Sequence, residues 1–519
     1  MLLTLIVFVP ALAGVIVLAS PARAAKWIAG GFSLAVFLAS MWLYFGLLGD
    51  SSPNFGTVMD PQWYINATWI DVAINSFHFK VNYALGADGL SIPMLILNAL
   101  LTFLAVIGSW HIEKRVKLYM AMLLILETGV AGVFAAFDLF LFFLFWEIEL
   151  IPMFLLIAIW GGARREYAAW KFLIYTLVGS AFTLAGIFLI YFEEGGRDAS
   201  FQHFAQNGLN LTGALPFFGT TVSLGLVTFL LLFSGFAVKI PMWPVHTWLP
   251  DAHTEAPTAV SVLLAGVLLK MGAYGLIRIC LGFVPHGAME FAPVLGIFAA
   301  INVLWGALAS MAQQDMKKMI AYSSVSHMGY VLLGVAAASA AGSLNLAFRQ
   351  AALTGATLQM FTHGTITGML FFSVGVLYEK AHTRDIDVFG GIGKRMPTLM
   401  LLYSVACFAA LGLPGMSGFV AEYLTFTGSF ATLPVVTILS VFGVVLTAGY
   451  LLWMLRRSFY GPLNMKWSWL TDANAREAFP LVALAVVIIF VGIFPTPMLN
   501  LLAPTLSQMI HHMTPVIGG

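Results

Sequence analysis

Eight ionisable side chains stand inside long apolar stretches of this sequence: Glu127, Glu147, Glu149, Lys239, Lys270, His327, His363 and Glu422. An ionisable residue at the centre of a membrane span costs roughly 2.5–3.5 kcal/mol on insertion scales, so residues of this kind are functional candidates by default. Burial disfavours the charged form of acid and lysine alike, and a nearby opposite charge restores it. Acids and lysines placed together shift one another, so that one charge can move a proton off its neighbour. Histidine accepts and donates near neutral pH and suits the middle of such a chain. Glu147, Lys239, Lys270, His327, His363 and Glu422 therefore compose a candidate proton relay. The static alternatives are a buried Glu147–Lys239 ion pair and two satisfied core histidines. Glu127 and Glu149 receive no definite role, and either could simply bond a neighbouring helix. His246, Asp251, His253 and Glu255 form either a proton entrance or a polar loop, and Asp138 reads as a helix N-cap.

The elements that carry these residues follow from composition. Of 519 residues, 60% are hydrophobic and 9% charged, against about 25% charged in soluble domains. The apolar blocks run to about 20 residues, the length of a membrane-crossing helix. They do not alternate with period two, which excludes barrel strands. The pattern predicts an all-α polytopic membrane protein with about fourteen spans. They lie at about 2–20, 26–48, 86–110, 116–136, 138–160, 168–192, 222–249, 256–280, 292–310, 318–338, 350–378, 397–430, 435–457 and 479–501. The first block lacks a basic leader and reads as a retained helix. The longest external connections, about 49–85 and 193–221, read as caps or loops.

Lysine and arginine sort the connections. One set carries 18: Arg23, Lys26, Lys114, Arg115, Lys117, Arg164, Arg165, Lys171, Lys317, Lys318, Lys380, Arg384, Lys394, Arg395, Arg456, Arg457, Lys466 and Arg476. The opposite set carries four: Lys80, Arg197, Arg278 and Arg349. Lys239 and Lys270 lie within spans. The positive-inside rule then places both termini outside the cytoplasm.

Spans four to eight and nine to thirteen form two blocks of five with opposite starting sides. The fourth helix of each is interrupted, at 239–244 by Pro241 and Pro244 and at 412–418 by Pro414. A proline removes the hydrogen bond to the carbonyl four residues back, so Ala237, Ile240 and Ala410 should have loosened carbonyls. Paired broken helices in inverted repeats point to a transport path. The organisation read from the sequence is an N-terminal three-helix segment (1–112), a first repeat (113–282), a second repeat (290–460) and a C-terminal loop and last span (461–519).

Net charge is +1, which gives no field for nucleic acid. Cys280 and Cys407 match no iron–sulfur, haem or zinc spacing, and no phosphate-binding glycine motif occurs. No redox centre or other cofactor is expected in this chain.

Several long motifs resemble the antiporter-like membrane subunits of respiratory complex I. They are residues 237–253 (AVKIPMWPVHTWLPDAH), Trp146-Glu147 followed by Ile151-Pro152-Met153, residues 269–275 (LKMGAYG), residues 321–330 (AYSSVSHMGY) and residues 415–419 (GMSGF). Within that family, Glu422 matches the branch with an acid on the second broken helix, where sister subunits carry lysine. The resemblance implies that Glu147 pairs with Lys239, that Lys270, His327 and His363 link the two halves, and that Glu422 is the terminal proton-binding residue. It also implies partners: neighbouring antiporter-like subunits, phospholipids, and other subunits holding FMN, iron–sulfur clusters and quinone. The setting it implies is a bacterial inner membrane. The rival readings are a subunit of a multi-subunit sodium/proton antiporter or of a membrane-bound hydrogenase.

Overall fold

The computed structural model of the chain describes residues 1–47, 56–74, 77–196, 198–209, 211, 213–217, 220–340 and 345–517. Arg197, one of the four basic residues of the sparser set, lies outside the described residues. The chain opens with α1 (Leu2–Ala19) and α2 (Ala22–Leu47), followed by an antiparallel hairpin, β1 (Gln62–Ile74) and β2 (Phe77–Ala87). Next come α3 (Ser91–Gly108), α4 (Val116–Ala135), α5 (Leu139–Ile148), α6 (Leu150–Trp160) and α7 (Arg165–Glu193). A short α8 (Phe201–Asn207) and a second hairpin, β3 (Ala214–Phe217) and β4 (Thr220–Ser223), lead to α9 (Leu224–Lys239) and α10 (Trp248–Glu255). The eighth span is composite: α11 (Thr258–Leu263) and α12 (Leu269–Gly275) are each followed by a π-helical segment, Leu264–Leu268 and Leu276–Leu281. Then follow α13 (Pro285–Met311), α14 (Met316–Ser339), α15 (Leu346–Ala381), α16 (Pro397–Ala410), α17 (Ser417–Phe430), α18 (Pro434–Ser458), α19 (Ala475–Ile493) and α20 (Thr496–Ile517).

Among the described residues, twelve helical stretches are long and apolar enough to cross a membrane, counting 139–160 and 258–281 as one each. The shorter apolar helices α9 and α16 begin the two interrupted spans, so the total agrees with about fourteen. Burial grades from centre to rim. The most apolar windows of the eighth span and of α15 are wholly buried, whereas in those of α2 and α18 only 28% and 33% of the residues are buried. The centre is thus where Lys270 and His363 sit.

Contacts between connections sort them into two ends. At the basic end, Lys26 Nζ donates to Trp110 O, Lys114 Nζ to Ile159 O and Arg384 to Thr254 O. Lys380 pairs with Glu477, Arg384 with Asp315 and Arg457 with Asp387. At the other end, Asp138 caps α5 by accepting from Phe140 N and Leu141 N, as the sequence predicts, and also accepts from Asn82 N. Burial pushes its carboxyl up to about 6 against these three amides. Arg278 pairs with Asp88 there at 2.6 Å, both fully buried.

Three features depart from the sequence reading. The connections read as loops near 49–85 and 193–221 contain paired strands rather than loops alone, and β1, with Tyr64, Ile65, Thr68, Trp69, Ile70 and Val72, has the β-branched and aromatic content that a strand favours. The last predicted span, 479–501, is two elements: α19 stops at Ile493, and Pro495 and Pro497 flank the start of a separate α20. Prolines with no free N–H are tolerated in a first turn but not within the preceding helix. Gly89 N donates to Thr505 Oγ1, and Thr505 Oγ1 donates to Gly56 O, which ties α20 to the end that carries Asp88. Finally, span five is broken at Glu149 and span eight contains two π-helical segments.

Small residues set the helix spacing, as they do where lipid gives no hydrophobic drive to pack helices. A Cβ on Gly235 of α9 would lie 1.9 Å from Thr183 Oγ1 and 2.5 Å from Gly179 O on α7. Gly235→Val is therefore expected to push α9 off α7 and destabilise the fold by about 3 kcal/mol, at the upper end for overpacking. The check is the thermal unfolding midpoint of the purified membrane protein, which should fall by several degrees; an unchanged midpoint would contradict this packing.

Candidate functional site

Both interruptions sit where the prolines require them. After Lys239, Pro241 and Pro244 end α9, and the chain resumes helix at Trp248. The loosened carbonyl of Ala237 accepts from Met242 N at 2.9 Å, and that of Val238 from Trp248 Nε1 at 2.9 Å. Trp243 N donates to Asn302 Oδ1 at 2.6 Å, while Asn302 Nδ2 donates to Val325 O at 3.2 Å. One buried amide on α13 thus holds the break and ties it to α14. In the second half, α16 ends at Ala410 and α17 begins at Ser417, with Leu413 N donating to Phe408 O. Gly412 has φ +72°, and a Cβ there would meet Glu422 Oε2 at 2.5 Å, so this glycine is needed both for its backbone and for the room it leaves the acid.

Lys239 is the last residue of α9 and is buried. Its ammonium lies 5.1 Å from the ring centre of Trp146 and 5.9 Å from that of Phe172, a favourable setting for a cation with little water around it. Trp146 is held by its Nε1 donating to Ser180 Oγ at 3.1 Å. The carboxylate in contact with Lys239 Nζ is that of Glu149, also fully buried. The resemblance implied Glu147 as partner; Glu149, left without a role, takes that place in the structure. The cause is local. Pro152 has no N–H to give the carbonyl of Ile148, α5 stops at Ile148, and Glu149 turns with its own N–H bonded to Glu147 O. In an unbroken helix, residues two apart point to different faces. Glu147 is half-buried on the outward side with Leu144 and Ile151.

The remaining four predicted residues form a line. Lys270 lies between the two π-helical segments. Such segments widen the helix by one residue and loosen its carbonyls, commonly at functional sites. Lys270 Nζ bonds the Ala265 carbonyl of the first segment and contacts His363 Nδ1 of α15 at 2.7 Å. The His363 and His327 rings are 5.7 Å apart at 44°. His327 Nδ1 is 3.5 Å from Glu422 Oε1 and 3.5 Å from Gln359 Nε2. A small cavity of about 10 Å³ is lined by His327, Gln359, His363, Thr367, Gly418 and Glu422 among others. Within the first half, the Lys270 helix packs on α9 at Gly272, where a Cβ would lie 2.8 Å from Lys239 Cβ.

Of the possible entrance residues, three are engaged. His246 Nε2 accepts from Trp305 Nε1, Asp251 pairs with Lys171 at 2.7 Å, and Glu255 accepts from Arg164 N. His253 is buried, and its ring stacks on Phe371 at 4.6 Å. Beside it at the basic end, a cavity of about 400 Å³ is lined by Glu255, Thr258, Lys317, Tyr378 and Arg384 among others. Glu127 is buried on α4 and its carboxyl oxygens make no hydrogen bond among the described residues.

Asn302 is a site residue that the sequence reading did not single out; a lone Asn in an apolar helix was the available signal. Asn302→Leu leaves the Trp243 N–H buried and unbonded, which should destabilise by about 1–3 kcal/mol. The expected result is a lower unfolding midpoint together with reduced ion transport; unchanged values for both would show that the amide does not hold the break.

Residues 136–447 match the family model described as NADH:quinone oxidoreductase/Mrp antiporter, TM. NADH-quinone oxidoreductase subunit M of Rhodobacter capsulatus is 41% identical, with 100% of this chain and 98% of that protein covered. NAD(P)H-quinone oxidoreductase chain 4 of Gloeobacter violaceus is 39% identical over 98% of this chain and 92% of its own length. Among solved structures, a chain of respiratory complex I from Thermus thermophilus superposes with a TM-score of 0.85 at 26% identity, with both chains fully covered. The Mrp complex from Dietzia sp. DQ12-45-1b shares the fold, with a TM-score of 0.80 at 21% identity over 99% and 98% of the two chains. With its interrupted helices, its buried lysines and these matches along its whole length, the chain belongs to the NADH:quinone oxidoreductase/Mrp antiporter transmembrane family.

Proposed function

We propose that this chain is the proton-translocating membrane-arm subunit, of the subunit M or chain 4 type, of a proton-pumping NADH:quinone oxidoreductase in a bacterial inner membrane. The observation that carries the reading is the line Lys270–His363–His327–Glu422, with contacts of 2.7 and 3.5 Å at its two ends. Each member can hold or pass a proton, and the line crosses from one half of the molecule to the other. NADH oxidation and quinone reduction belong to partner subunits with their FMN and iron–sulfur clusters. Here, a proton from the cytoplasm reaches Lys239, where a carboxylate stabilises the ammonium. A neighbouring charge change separates the pair, and the proton moves by Lys270 and the histidines to Glu422, then leaves on the far side. The inverted five-helix repeats, 113–282 and 290–460, supply one half-path each. The 41% identity to a quinone oxidoreductase subunit favours this over the antiporter reading, for which the Mrp likeness supports only a shared fold.

Lys239→Ala, in the assembled complex reconstituted into vesicles, is expected to abolish proton translocation driven by NADH oxidation while the electron-transfer centres stay loaded. Full pumping by that variant would overturn the assignment. The proposed orientation, with both termini periplasmic, is checked by single cysteines at Lys114 and Lys394. They should react with a membrane-impermeant maleimide only from the cytoplasmic side.

A further inference from the structure

A proton on Lys270 needs a closed side as well as an open one. In the proposed relay it passes sideways to His363 Nδ1, 2.7 Å away. The helix that carries Lys270 runs on toward the proposed periplasmic end through Tyr274 and Arg278, and residues four apart stand one above the other on a helix. A proton that followed this face would leave the first half directly and bypass Glu422. Arg278 stands across that route. It is fully buried, with Nε donating to the Tyr274 hydroxyl at 3.2 Å and Nη2 to Asp88 Oδ1 at 2.6 Å. The Tyr274 hydroxyl donates to Phe134 O at 3.1 Å. Asp88, at the head of α3, also accepts at Oδ1 from Leu90 N and Ser91 N. Helix α20 closes the corner, where Thr505 Oγ1 accepts from Gly89 N at 3.1 Å.

The chemistry of the cluster is one-sided. A guanidinium has five donors and no acceptor and keeps its charge in proteins. It cannot take a proton from Tyr274, and it repels one that approaches. Asp88 balances its charge, but the carboxylate oxygen in reach is already spent on three N–H donors. As a stabilising device the pair is poor, because two desolvated charges cost much of what they gain. Asp88 Oδ2 and Arg278 Nη1 moreover make no hydrogen bond among the described residues. We propose that the buried Arg278, held by Asp88 and set against Tyr274, is the outer seal of the first half: it closes the direct way out from Lys270 and leaves the sideways transfer to His363. This inference rests on the proposed function and adds a barrier to it.

The test measures leak rather than turnover. The assembled complex is placed in vesicles, a pH gradient is imposed without NADH, and its decay is followed. Arg278→Met combined with Asp88→Asn removes the cation without leaving an unpaired acid, and the gradient should decay about ten-fold faster, the scale of lifting one buried like-charge barrier. Adding Lys270→Ala should restore a slow decay, and Arg278→Lys, which keeps a cation, should stay tight. Wild-type decay in the double variant would overturn the inference. So would a leak that persists with Lys270→Ala, since general loosening of the fold predicts that result. Should the double variant not assemble, the near-isosteric Ser91→Cys decides. The seal holds if this thiol resists a membrane-impermeant reagent from the periplasmic side, and fails if it reacts as fast as an exposed thiol. Full pumping by Lys239→Ala would instead overturn the proposed function, whatever the leak rates.

Discussion

A charge inside a bilayer has to find its partner within the protein, because hydrocarbon offers none. That constraint organises this fold. Lys239 finds Glu149 and two aromatic faces, Lys270 finds a carbonyl and a histidine, Arg278 finds Asp88, and Glu422 finds His327. None of these contacts is possible between helices held apart by large side chains. Gly272 against the Lys239 stem, Gly129 against Glu149 and Gly412 against Glu422 each leave the space that brings the charged group home. The small residues do more than let helices touch; they fix how deep and how close each charge lies.

Backbone irregularity answers the same need. In a regular helix each interior carbonyl already accepts from the N–H four residues on. Where this chain holds charge, the helices depart from regularity: proline breaks beside Lys239 and Glu149, π-helical segments on either side of Lys270, a wide turn before Glu422. Some loosened carbonyls are taken up by Met242 N and Trp248 Nε1, and that of Ala265 by the lysine itself. Such irregular backbone survives at membrane depth only when buried in protein. This accounts for its concentration in and beside the most enclosed helices.

The sequence made some of this legible and hid the rest for physical reasons. Pro241, Pro244 and Pro414 announce their breaks because proline chemistry is local and obligatory. Lys270, His327, His363 and Glu422 stood out because charge in an apolar run is rare, and the structure sets them in one line. The pairing of Lys239 was not readable. It depends on which of two acids two residues apart reaches the lysine, and spacing alone does not say which. The π-helical segments around Lys270 leave no composition signature, because one inserted residue changes no residue type. The end of the last span at Ile493 was masked by apolar residues beyond it. There Pro495 and Pro497 were the better guide, and hydropathy alone ran past them.

The two ends of the proposed relay differ in a way that gives it direction. At Lys239 the mobile proton makes a cation, and its departure leaves a carboxylate without a counter-charge in the protein interior. At Glu422 the proton makes a neutral acid, and its departure creates an anion 3.5 Å from His327. In the proposed relay, that anion is met by the next proton, handed on through His363 from Lys270. An uncompensated carboxylate beside Lys239 likewise draws a new proton into the first half. A lysine in place of Glu422 would also lose one unit of positive charge on giving up its proton, but it would pass from cation to neutral amine rather than from neutral acid to anion. In the proposed relay, emptying of the last site is thus linked to refilling of the ones before it.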